Sequence, residues 1–175
     1  GNLLYMFRKI QEKNELGQFM FRDLAYSQFI RIDNQFIASR NIKQTQSVHL
    51  KLSIGGGQPF GNSTTSMPYD YSFFGGGSND NRGWRSRALG PGSYKYHLDS
   101  NSLITQVADI RIGGSFEYRF PITSSLKGAF FTDFGNIWTY KEDSRIGGKF
   151  AWTSFLSQFC IASGFGARLD LDFFV

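Results

Sequence analysis

The chain has 175 residues, a net charge of +5, 41% hydrophobic residues and one cysteine. The length fits one domain, and the composition excludes a disordered chain. No apolar stretch approaches the ~20 residues of a spanning helix, which excludes a helical membrane protein. The single cysteine excludes a disulfide framework, and the scattered basic residues do not indicate a nucleic-acid-binding protein.

Long runs of alternating apolar and polar residues predict five β-strands. In the clearest run, aromatic side chains such as Phe116 and Tyr118 alternate with charged ones such as Glu117. These runs exceed the ~5–6 residues of an ordinary strand, and residues 2–7 resemble the tail of a sixth. The five predicted strands cover residues 26–39, 46–56, 107–120, 126–138 and 161–173.

The connections between these strands alternate between short and long. Short turns join the first strand to the second and the third to the fourth, whereas residues 57–105 and 139–160 form long loops. Residues 150–159, "FAWTSFLSQF", fit a short amphipathic helix. Long two-faced strands with alternating connections are typical of an outer-membrane β-barrel, whose apolar side chains face lipid and whose charged side chains face the lumen. A soluble sandwich with its apolar face inward has the same alternation.

Five or six strands are too few to close a barrel, because the smallest barrels have about eight. The last alternating run also continues to the C-terminus with no turn after it. We therefore expect residues 1–175 to be a single piece of a barrel domain, in the form of an antiparallel meander. Its unpaired sheet edges are expected to allow self-association.

The most specific segment is glycine-rich: "FFGGGSNDNRGWRSRALGPGSY", residues 73–94. Its three consecutive glycines permit positive φ angles or a close backbone approach. Arg82 followed by Gly83 places a guanidinium at a sharply bent tip, which Trp84 can anchor by packing. A flexible surface loop with a solvated Arg82 fits the same residues. The candidate functional residues of the loop are Gly75, Gly76, Gly77, Arg82, Gly83, Trp84, Gly90 and Pro91.

This loop and three later segments resemble the BamA/TamA superfamily of outer-membrane assembly factors, the surface-antigen family. "RGW" followed by "LGPG" is similar to the reentrant loop of that family. "GSFEYRFPI", "KGAFFTDFGNIW" and "GFGARLDLDFF" are similar, in order and spacing, to the strands that follow it. "RGW", "LGPGSY" and "DFF" look most like the TamA-like lipoprotein branch of the Bacteroidetes. Asp80 and Asn81 depart from the family pattern, and we expect them to loosen the apolar contact of the tip.

The resemblance implies a roughly sixteen-stranded barrel with a reentrant loop, in the outer membrane of a Gram-negative bacterium. The family folds and inserts other barrels through a seam that opens and pairs with client strands. The resemblance implies no enzyme activity, catalytic residue, cofactor or metal. The implied partners are outer-membrane lipid, unfolded β-barrel clients, and lipoprotein or periplasmic proteins, without nucleic acid.

The resemblance also makes Glu117 and Asp133 the lumenal partners of Arg82. An arginine in a lumen is costly unless it is paired, and its planar fork fits carboxylates. The alternative is that Glu117 pairs with Arg119 or Arg111 of its own strand face.

Three other functions fit the sequence. A two-partner secretion exporter shares the Arg-Gly loop but exports a soluble passenger. A barrel fused to a patatin-like lipase has its enzyme outside this region. A soluble all-β binding domain uses the same alternation with the opposite face inward. Periplasmic repeats or a serine hydrolase elbow in the preceding sequence would separate the three barrel types.

Overall fold

The computed structural model describes residues 13–21, 24–63, 67–94 and 106–169. The described chain is all-β, and no helix in it is long and apolar enough to cross a membrane. A small sheet pairs β1 (Met20–Phe21) with β2 (Leu24–Ala25). The main sheet is an antiparallel meander in sequence order: β3 (Gln28–Lys43), β4 (Gln46–Phe60), β5 (Ile110–Pro121), β6 (Leu126–Trp138) and β7 (Cys160–Leu169).

The predicted fold class is confirmed, and the strand ends differ where pairing partners were not visible in the sequence. β3 continues to Lys43, where it pairs with Gln46 across a tight turn. β4 continues to Phe60 because its end pairs with the start of β3. β5 begins at Ile110 rather than at 107, because Ala108 pairs with Phe73 of the long loop. The predicted segment 2–7 and the end of the last predicted strand lie outside the described residues.

The segment expected to form an amphipathic helix does not do so. Only Phe155–Gln158 form a single 3-10 turn. Its aromatic rings pack edge-to-face against Trp138 at the end of β6, with Phe150 at 5.6 Å and Phe159 at 5.8 Å between ring centroids. The aromatic residues whose spacing suggested one face of a helix therefore pack together around Trp138.

The two faces of the main sheet reverse the polarity of a soluble protein. The face covered by the long loop, called here the inner face, buries polar residues: Ser53 is 3% exposed and Asp133 is 0% exposed. The opposite, outer face leaves apolar residues uncovered, with Leu50 at 48% and Phe165 at 82% exposure. The alternation predicted in the sequence is thus real, and its polar side is the covered one.

Long and short connections lie at opposite ends of the sheet. Residues 44–45 and 122–125 form the short turns, and the segments after β4 and β6 form the long connections. At the long-connection end a small apolar core of Met67, Phe73, Ala108 and Ile137 holds the base of the loop against the sheet.

Candidate functional site

The site is built by residues 67–94, called here the reentrant loop, which lies on the inner face. Its base is fixed by bridges between Phe73 and Ala108 and between Gly75 and Leu89. A Cβ at Gly75 would lie 2.7 Å from the Leu89 side chain, so the two arms of the loop run in close contact.

Gly76 and Gly77 turn the chain into the tip. Their φ angles are 91° and 105°, in the left-handed region that favours glycine. The Gly77 N–H donates to the carbonyls of Asn81 and Trp84 at 3.2 and 3.0 Å. These bonds close residues 78–83 into a compact tip, and Trp84 contributes its carbonyl to that closure.

Arg82 lies on the inner face between β5 and β6. Its Nε and Nη2 donate to the two oxygens of Asp133, each at 2.7 Å, and its Nη1 donates to Glu117 Oε2 at 2.8 Å. Its backbone N–H also donates to Asp133 Oδ2 at 3.0 Å. The guanidinium stacks on Phe131, with Cζ 3.6 Å from the ring centroid. The hydrogen bonds to Asp133 raise the pKa of Arg82 above its ordinary value, so the side chain is charged.

Glu117 receives bonds from three arginines. One oxygen accepts from Arg82, and Oε1 accepts from Arg119 Nε and Arg168 Nη2, each at 2.7 Å. The pairing with Arg82 and the alternative pairing with Arg119 therefore occur together. Arg111 contacts the loop instead, through Asp80. The structure thus brings the predicted arginine together with both predicted acids.

Gly83 is required by its close approach to β7 and not by a positive φ angle. Its φ is not positive, but a Cβ there would lie 2.5 Å from Ala162 Cβ of β7. Small residues form the surrounding inner face, where Gly113 of β5 pairs with Gly135 of β6. The expected bend is present, since Arg82 and Gly83 form a turn in which the Trp84 N–H donates to the Asn81 carbonyl at 3.2 Å. The loop tip needs the glycine because it rests directly on β7.

Gly90 and Pro91 dock the returning arm of the loop on the end of β6. Gly90 has φ 77°, and a Cβ there would lie 2.4 Å from Asn136 Oδ1. Asn136 is 2% exposed, and its Nδ2 donates to the carbonyls of Gly92 and Gln158 at 2.9 and 2.6 Å. Asn136 is not among the residues predicted from the sequence. Its signal was a polar residue at an apolar position of the β6 alternation.

Asp80 and Asn81, which the sequence predicted to loosen the apolar contact of the tip, hold the tip by polar bonds. Asp80 accepts from the Gly76 N–H and from Arg111 Nη2, each at 2.8 Å. Asn81 is 2% exposed, and its Nδ2 donates to the Cys160 carbonyl at 2.8 Å. Polar bonds replace the apolar contact. No group of three or more His, Cys, Asp or Glu side chains among the described residues could hold a metal ion.

Comparison with known proteins gives a family match and a structural match. A model of the Omp85 superfamily domain matches residues 16–173. No curated protein matches the sequence. Among 49 matching chains of solved structures is the crystal structure of BamA from Haemophilus ducreyi lacking POTRA domains 1-3. It superposes with a TM-score of 0.61 at 14% identity over 82% of this chain and 29% of that chain. This similarity shows the fold, and the present chain spans less than a third of that protein.

Proposed function

Because the chain belongs to the Omp85 superfamily, we propose that it is a piece of an outer-membrane barrel that folds and inserts β-barrel clients. The observation that carries the proposal is Arg82, held by Asp133 and Glu117 on a polar inner face. The proposed protein acts without enzyme chemistry. The proposed location is the outer membrane of a Gram-negative bacterium, and the finer assignment is the TamA-like lipoprotein branch of the Bacteroidetes.

The exposed outer face supports the membrane location. Its apolar side chains would be costly in water but favourable against lipid. In outer-membrane barrels the short turns face the periplasm and the long loops face outward. The reentrant loop would then enter the lumen from the outer surface, and its charged tip would lie where ion pairs are shielded from lipid.

Client insertion in this proposal depends on strand edges and not on catalytic groups. An unpaired strand presents a row of N–H and C=O groups that can bind a client strand by β-augmentation. The anchored loop tip supports the inner wall while other parts of the barrel open. The proposed partners are outer-membrane lipid, unfolded barrel clients, and lipoprotein or periplasmic proteins.

The test is a client-folding assay with the full-length protein in lipid vesicles. An unfolded small barrel is added, and its folding is scored by heat-dependent gel mobility. We expect the wild-type protein to accelerate folding, Arg82→Ala to lose most of that acceleration, and Arg85→Ala to retain it. Arg85 is the matched control because it is an exposed arginine of the same loop.

Failure of the wild-type protein to accelerate client folding would contradict the assembly function. Export of a soluble passenger in the same vesicles, without client folding, would instead assign a two-partner secretion exporter. Equal activity of the Arg82→Ala and wild-type proteins would remove the loop anchor from the proposal.

A further inference from the structure

Four consecutive residues at the loop tip contact four different strands of the main sheet. Only the contacts of Arg82 follow from the Arg-Gly motif, and the other three use residues outside that motif. Lys51 Nζ of β4 donates to the Asn79 carbonyl at 2.5 Å, Arg111 of β5 binds Asp80 at 2.8 Å, Asn81 binds the Cys160 carbonyl of β7 at 2.8 Å, and Arg82 binds Asp133 of β6 at 2.7 Å.

The Asn81 contact is buried and satisfied at both ends of the amide. Nδ2 donates to the Cys160 carbonyl, and Oδ1 accepts from the Gly83 N–H at 3.3 Å. A buried amide without partners is costly, so this residue favours one position of the tip over all others. Within the described chain β7 pairs only with β6. Side chains add an ion pair between Arg168 near the end of β7 and Glu117 of β5. At the start of β7, Asn81 adds a hydrogen bond from the loop.

Asp80 fixes the orientation in which Asn81 and Arg82 point. It joins Arg111 of β5 to the Gly76 N–H at the start of the tip. Here the loop supplies the acid and the strand supplies the base, which is the reverse of the pairing between Arg82 and Asp133. Two ion pairs of opposite sense resist rotation of the tip, because a rotated tip would bring like charges together.

We propose that Asn81 is a positioning residue that holds β7 against the bound loop through its hydrogen bond to the Cys160 carbonyl. In this proposal Asp80 fixes the orientation of Asn81. Loss of the Asn81 bond frees the first residue of β7 from the tip while Arg82 stays bound to β5 and β6. The position of β7 is thereby coupled to the position of the loop through the Asn81 hydrogen bond, which adds to the packing of Gly83 on Ala162. This coupling does not depend on which protein the barrel assembles or exports.

Cys160 supplies the probe for the test. It is the only cysteine of the chain and is itself the residue whose carbonyl Asn81 binds. Its side chain points to the inner face, since it pairs with Gly135 in the same register as Asp133. The measurement is the rate of maleimide labelling of Cys160 in the full-length protein, with any other cysteine replaced by serine.

We expect Asn81→Ala to raise the labelling rate roughly three- to tenfold, the change that corresponds to one lost hydrogen bond. Asn81→Asp is nearly isosteric and keeps an acceptor for the Gly83 N–H but loses the donor, so it should raise the rate as well. Protease nicking near Arg82 should stay at the wild-type level in both variants. Ser78→Ala, at an exposed position at the start of the tip, is the control and should label at the wild-type rate.

A wild-type labelling rate in both Asn81 variants would contradict the proposed role of Asn81 in holding β7. The same holds if Ser78→Ala raises the rate equally, since general loosening would then explain the result. If Asn81→Ala does not accumulate, Asn81→Asp decides the question alone. An Asp80→Arg variant should raise the rate too, and combining it with Arg111→Asp should restore slow labelling.

Discussion

The inner and outer faces of the main sheet are made by the same strands and follow opposite rules. On the inner face, the charged residue Asp133 is fully buried and binds Arg82. On the outer face, apolar residues such as Phe165 stay uncovered. The inner face is held by directed bonds with few geometric solutions, whereas the outer face requires only that its side chains be apolar. On the inner face, the effect of a substitution should therefore depend on the particular bond that it removes. On the outer face, the effect should depend only on whether the new side chain is apolar.

The largest effect is expected on the inner face, from Arg82→Ala. The change leaves Asp133, which is 0% exposed, without its cation. Breaking a buried pair in this way costs about 3–5 kcal/mol. We expect the loop tip to detach from the inner face of the sheet. Limited proteolysis of the full-length protein near residue 82 will detect this change.

Arg82→Lys tests whether charge alone is sufficient. A lysine is a point charge and cannot reproduce the fork that binds two oxygens of Asp133 and one of Glu117. It should restore little protection from protease. Full protection by lysine would show that shape is unimportant at this site.

The outer face is tested by a charge that no partner can accept. Leu50→Arg should lower barrel stability by about 2–4 kcal/mol near the middle of the bilayer. Gly166→Arg is the matched control, because Gly166 lies on the inner face with open space where a side chain would start. Denaturant titration of the folded barrel in lipid should separate the two variants. Equal losses would contradict the assignment of the faces.

A smaller effect is expected where the loop touches β7. Gly83→Ala brings a Cβ within 2.5 Å of Ala162 Cβ, and such overpacking costs about 1–3 kcal/mol. Ala162→Gly removes the opposing carbon and should restore the stability of the double variant. Thermal unfolding of the four proteins of this cycle measures the coupling. A loss that Ala162→Gly does not correct would show that the contact is not the cause.

The smallest effect is expected in the aromatic cluster at the end of β6. Phe155→Leu loses one edge-to-face contact with Trp138 but stays apolar. The expected loss is about 0.5–1.5 kcal/mol, the value of an aromatic pair. A lower melting temperature without a change in loop proteolysis would separate this cluster from the site. Increased cutting near residue 82 would connect the two.

The periodic pattern of the sequence predicted the strands and their two faces. It did not predict the contacts that depend on the position of the reentrant loop on the sheet. Alternation placed the long strands because each residue needs only its neighbours to define its face. The roles of Asp80 and Asn81 were not visible, since Asn81 finds its partner 79 residues away along the chain. The start of β5 was missed for the same reason, because Ala108 pairs with Phe73 of the loop. The functional role of the loop glycines and of Arg82 remains a prediction for the experiments above.

The four-strand contact of residues 79–82 also makes the length of the tip matter more than its composition. One inserted residue moves every later residue by about 3.8 Å, close to the ~4.8 Å between neighbouring strands. Each side chain of the tip would then lie opposite the strand residue that normally binds its neighbour in the tip. A single insertion or deletion between Gly77 and Gly83 should therefore be more damaging than most substitutions there, and natural relatives that keep these contacts should not vary in length at this point.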